Sequence, residues 1–221
     1  MTVTIFQQQI KMSNNLNNIE LRRLSASPEI RAEVVHREDG SAVKRISGYA
    51  AVFEQYSRPF YDEWVEIISR GAFDGCEMSD VVMVIDHSRE VRDVMARYKD
   101  GVGTLDITID EQGVRFAFDA PDTAAGRDLV ALIERGDISE CSFAFWVAED
   151  SWSYDVNLDG KVYDIRRINK VAKLADLSIV VRGQYPQPSV GIDERALFKA
   201  SRPKPSTRTM SVALAKAIAN Y

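Results

Sequence analysis

Through the middle of this 221-residue chain the dominant apolar period is two, in short runs at regular spacing, which makes strands the main building element. The runs VKRISGYAAVF (43–53), DEWVEII (62–68), DVVMVI (80–85), TLDITI (104–109) and VRFAFDA (114–120) are rich in β-branched and aromatic residues. Asp110 to Gly113 reads as the hairpin turn joining the last two. Further strands are expected at 139–149, 161–168 and 174–181, with a turn at Asn157 to Gly160 before the middle one. One helix interrupts them after Pro121, with Asp122 or Thr123 as N-cap and Gly136 as its stop. Its apolar residues Ala125, Leu129, Leu132 and Ile133 fall on one face. Many closely spaced strands with few helices predict an α+β fold: a mainly antiparallel, closed or nearly closed β-barrel with a few surrounding helices. Closure is favoured because it removes exposed strand edges.

Composition bounds the rest. An apolar fraction of 45% with 28% charged residues is that of an ordinary globular protein, with length for one core plus tails. We expect a flexible Gln- and Asn-rich arm at 1–27, a single domain at 28–197 and a basic, mostly flexible tail at 198–221. No acidic residue follows Glu194, whereas Arg195, Lys199, Arg202, Lys204, Arg208 and Lys216 do. An acidic body offers no electrostatic footprint for nucleic acid. No apolar run approaches the ~18 residues of a membrane span, and the N-terminus lacks a signal pattern, so a cytosolic, membrane-free protein is expected. Two cysteines, Cys76 and Cys141, and two histidines, His36 and His87, make a disulfide framework or a four-ligand zinc site hard to assemble. No metal or cofactor is expected.

Three residues stand out against their surroundings. Ser142 interrupts the apolar run ISECSFAFWV, and alternation sets it on a face with Glu140, Ala144, Trp146 and Ala148, opposite Cys141, Phe143 and Phe145. His87 closes the run VVMVIDH, where the chain leaves a strand. Asp176 lies inside KLADLSIVV, on a face with Leu174, Ser178 and Val180, and a carboxylate placed there needs a partner. A serine becomes a useful nucleophile when a base removes its proton, and histidine is suited to that near neutral pH. Taken singly, each residue has a plain structural explanation. A strand serine satisfies itself locally, a histidine at a strand end faces solvent, and Asp176 pairs with Arg166 or Arg167. His36, ringed by Arg37, Glu38 and Asp39, is the weaker histidine, and Cys141 on the phenylalanine face reads as packing. There is no GxSxG elbow, HExxH or Walker A loop, and GVGTLD (101–106) fails the dinucleotide fingerprint at its third glycine.

Several segments together resemble the prohead protease family of tailed bacteriophages, serine peptidases that mature capsids and are similar to herpesvirus assemblins. They run in family order: ISGYAAVFEQYS (46–57), VEIISRGAFDG (65–75), VVMVIDHSREV (81–91), GVRFAFDAPDTAAGRDLVALIERGDISECSFAF (113–145) and LADLSIVV (174–181). The resemblance implies a herpesvirus-protease-like fold in which Ser142 is the nucleophile and His87 the base. The third member is less marked: the family often shows E-V-S, and Asp176 in ADLS holds a similar place. Asp86 stands where asparagine is common, and RGQYPQP replaces a proline-alanine ending. Arg166 and Arg167 are candidate oxyanion helpers by analogy with assemblins. The implied activity is serine endopeptidase processing of major capsid or scaffold protein, and of the chain itself, in the host cytoplasm inside the immature capsid. A homodimer is compatible with the assemblin likeness. The rival expectation is a non-catalytic capsid-assembly scaffold or chaperone on the same fold.

Overall fold

The computed structural model describes residues 19–23 and 30–181, all within one compact unit. The expected basic tail lies outside them, as does most of the expected N-terminal arm. In chain order the elements are β1 (Glu20–Arg23), β2 (Arg31–His36), β3 (Ala42–Val52), β4 (Trp64–Ile68), β5 (Asp80–Ile85), β6 (Val94–Lys99), β7 (Val102–Gly103), β8 (Leu105–Ile109), β9 (Gly113–Asp119), α1 (Ala124–Glu134), β10 (Glu140–Leu158) and β11 (Lys161–Val180). No helix among the described residues is long and apolar enough to cross a membrane.

The strands divide into two sheets. Seven strands pair in the order β1-β10-β11-β5-β6-β7, with β4 also on β11, and four pair as β2-β3-β9-β8. Most ladders are antiparallel, but β4 and β5 both run parallel to β11. A closed barrel is not found: among the described residues no ladder joins the two sheets. β11 takes β10 along one edge of its twenty residues, while β4 (opposite 164–168) and β5 (opposite 176–179) divide the other. Closure is replaced by a shared core. Ile46, Phe116 and Phe118 from the smaller sheet and Met83, Phe143 and Leu177 from the larger one enter the same buried cluster. The few helices expected around the barrel reduce, among the described residues, to α1 and a single 3₁₀ turn at Val91–Asp93.

Local chemistry explains most element ends. At α1, Thr123 Oγ1 accepts from the Gly126 N–H at 3.1 Å, and Gly136 takes φ 78°. The Gly136 and Asp137 amides then donate back to Ile133 and Leu132, capping the last carbonyls. The buried face comprises Gly126, Leu129, Val130 and Ile133. At the β8–β9 turn, Asp110 Oδ1 accepts from the Gln112 and Gly113 amides. The β10–β11 turn uses Asp159 and Gly160, at φ 51° and 87°, the left-handed pair a two-residue hairpin requires. The expected strands at 161–168 and 174–181 are one continuous β11, and β10 runs nine residues past its expected end at 149. That extension is polar in sequence, but its aromatics find partners: Trp152 meets Trp64 edge-on at 5.4 Å and stacks on Tyr154.

Part of the expected arm is strand. Residues 20–23 form β1 on the outer edge of β10, and the buried Arg22 guanidinium reaches Glu66 on β4 with two contacts, 2.6 and 3.1 Å. Arg166 on β11 holds Glu20 at 2.6 and 3.0 Å and Asp150 at 2.7 Å. Partners 44 and 146 residues away give no local signal in a Gln- and Asn-rich stretch. Burial pushes the Glu20 carboxyl up, but the Arg22 and Arg166 guanidiniums outweigh it and hold it at about 2 instead of its ordinary 4.5. A carboxylate depressed on folding stabilises the protein above its unfolded value, and that contribution fades as pH falls toward the folded one. Melting temperature should therefore drop between about pH 5 and pH 2, and less steeply in Glu20→Gln. Equal slopes would remove Glu20 from this account.

Candidate active site

The central strands of the larger sheet carry the site. β10, β11 and β5 lie side by side, with Ser142 opposite Ser178 and Ala144 opposite Asp176 on the first pair, and Val84 opposite Ser178 on the second. Alternation thus puts Ser142, Asp176 and Ser178 on one face. The other face supplies core: Cys141, Phe143, Phe145, Leu177 and Ile179 are all essentially inaccessible. The GAF segment buttresses this core from behind. Gly71 turns at φ 82°, and Phe73 packs on Phe53 and Phe143 with ring centroids 6.1 and 6.4 Å away.

His87 is delivered by a turn at the end of β5. Asp86 and His87 are consecutive residues with positive φ, 48° and 53°, a conformation that costs about 1–2 kcal/mol per residue outside glycine. Asp and Asn tolerate it best because their short side chains satisfy the local backbone. Aspartate in place of asparagine at 86 is therefore compatible with the turn. Two backbone bonds hold the turn: the Asp86 amide donates to the Ile179 carbonyl at 3.0 Å, and the Ser88 amide to the Ile85 carbonyl at 2.9 Å. The His87 amide itself donates to Ser178 Oγ at 2.7 Å.

The imidazole then bridges two strands. Its Nδ1 lies 2.7 Å from Asp176 Oδ1 and its Nε2 lies 2.6 Å from Ser142 Oγ. An ionised carboxylate only accepts, so Nδ1 carries the proton and Nε2 presents its lone pair to the serine hydroxyl. Ser142 and Ser178 are fully buried, while the His87 and Asp176 side chains keep 13% and 24% of their exposure. Such a chain of contacts is able to move the hydroxyl proton to the ring and to stabilise the imidazolium that results.

All three sequence candidates meet here, whereas the alternatives sit elsewhere. Asp176 pairs with His87, not with Arg166 or Arg167. Arg166 is committed to Glu20, Glu66 and Asp150, and Arg167 to Glu54 and Ser69. His36 ends β2 on the exposed surface. Burial pushes the Cys141 thiol up to about 12 and the Cys76 thiol to about 11, the opposite of nucleophile activation. Among the described residues no group of His, Cys, Asp and Glu is arranged to hold a metal ion. Ser178 is the member that sequence reasoning left without a role. Its signal was present, since it follows Asp176 by two and so shares its face.

The sequence model of the caudovirus prohead serine proteases matches residues 31–202. A solved chain of the bacteriophage T4 capsid assembly protease, gp21, aligns over 76% of this chain and 100% of its own, at 11% identity and a TM-score of 0.45. No curated protein matches the chain.

Proposed function

The chain belongs to the caudovirus prohead serine protease family, and from that premise we propose that it is an endopeptidase using Ser142 as nucleophile, His87 as base and Asp176 as the group that orients the base. The observation that carries the reading is the unbroken contact chain from Ser142 Oγ through both ring nitrogens of His87 to Asp176.

The chemistry follows from those contacts. His87 Nε2 takes the hydroxyl proton as Ser142 Oγ attacks a peptide carbonyl, and the tetrahedral intermediate collapses as His87 gives that proton to the departing amine. Water then attacks the acyl-serine with His87 again as base, and release of the acid restores the hydroxyl. Asp176 holds the tautomer throughout and offsets the ring's positive charge. Ser178 fixes the backbone that carries the ring, a positioning role. Only protein groups and water are needed. The base works unprotonated, so cleavage falls on acidification.

The family relation supports phage capsid or scaffold protein as the substrate class and the interior of the prohead as the place of action; self-cleavage is a further reaction proposed for the same site. Co-expression with candidate phage capsid and scaffold proteins is the direct test. New, shorter bands are expected with the native chain and none with Ser142→Ala. Identical patterns would leave the non-catalytic assembly role.

A further inference from the structure

A peptide substrate has to lay an extended backbone against Ser142, and proteins usually accept such a backbone by adding it as a strand to a sheet edge. The strand carrying Ser142 has two edges. β11 fills one of them from Glu140 to Leu158. Among the described residues the other is filled only where Glu20 to Arg23 pair antiparallel with Phe145 to Ser142, placing Arg23 opposite Ser142 itself. Resting on the protease reading, we infer that the β10 edge at 142–145 is the docking edge for the substrate backbone, and that residues 20–23 occupy it as an internal competitor strand.

Two further observations fit this assignment. β1 is four residues long and ends its sheet, so its outer edge has no strand partner among the described residues. Its described anchors are charged: Arg22 on Glu66, Glu20 on Arg166, and the Arg22 guanidinium 5.4 Å and 5.6 Å from the Phe60 and Phe145 ring centroids. Buried ion pairs repay much of their attraction as lost hydration, so they fix geometry more than they add stability. A strand held this way is specific in register, and its four residues leave few ladder bonds to break on displacement. The full burial of Ser142 agrees with an edge that is closed in the resting chain.

The test uses binding, which does not depend on catalysis. A fluorescein-labelled peptide of residues 17–26 (NNIELRRLSA) is titrated against the full-length native chain and two full-length variants. Arg22→Glu sets like charges against Glu66, and Leu21→Pro removes a backbone donor from β1. If the native edge is free in about one molecule in ten, releasing β1 tightens peptide binding about tenfold. Bound peptide should slow amide exchange at residues 143–145, and a peptide spanning a segment cut in co-expression should compete with it. Affinities within twofold of native, protection elsewhere, or absence of competition would overturn the inference. Loss of cooperative melting in both variants would do the same, because β1 would then be an integral part of the fold. A Ser142→Ala chain that binds the peptide normally yet still cleaves would remove Ser142 as the nucleophile and leave the docking edge standing.

Discussion

Ser142→Ala is expected to lower peptide hydrolysis by about a million-fold, the loss seen when one member of a cooperating serine–histidine pair is removed from a related machinery. The size follows from the geometry. His87 Nε2 has no other hydroxyl partner than Ser142 among the contacts described, so the ring has nothing to activate once Oγ is gone. Alanine fits the space, and the core face of β10 is untouched, so the variant should melt within a few degrees of the native chain. Single-turnover cleavage of a capsid-protein substrate by purified protein reads the effect. A residual rate above about one per cent of native would show that another nucleophile does the work.

The second large effect belongs to Asp176. Asp176→Asn is nearly isosteric and removes the charge 2.7 Å from His87 Nδ1. An amide N–H donating to Nδ1 favours the tautomer protonated at Nε2, which then points a proton, not a lone pair, at Ser142. The expected loss in kcat is about 10⁴-fold, with KM nearly unchanged, as in serine proteases that lose this carboxylate. Asp176 is partly exposed, so folding should survive the change. A variant with near-native kcat would mean that Ser178 and the β5 turn suffice to orient the ring.

How much of this could be read from the residues depends on the range of each interaction. The strands from 43 to 120, the Asp110–Gly113 turn and the caps of α1 are local in cause, and alternation or capping chemistry reveals them. The faces of ISECSFAFWV and KLADLSIVV are local too, so the shared side of Ser142 and Asp176 is legible, and the family resemblance supplies His87. Three features are not local. The split of β11 between β4 and β5 consists of parallel pairings across about 90 to 100 residues, and no closed barrel is found among the described residues. The strand at 20–23 depends on Glu66 and Arg166, far along the chain. The polar end of β10 is strand because Trp152 meets Trp64, which no period within 150–158 announces.

The dependence of His87 on the β5–β11 pairing has a consequence for newly synthesised chains. Asp86 and Ser178 anchor the histidine turn through contacts about 90 residues long, and the matching β10–β11 register sets Asp176 on the right side. A slip of one residue would turn that carboxylate to the far face. Pairings of such span carry a large loop-closure cost and belong to the slow part of folding. A chain emerging from the ribosome therefore carries Ser142 and His87 tens of residues apart, and the two side chains meet only once the β10–β11 and β5–β11 ladders are both in register.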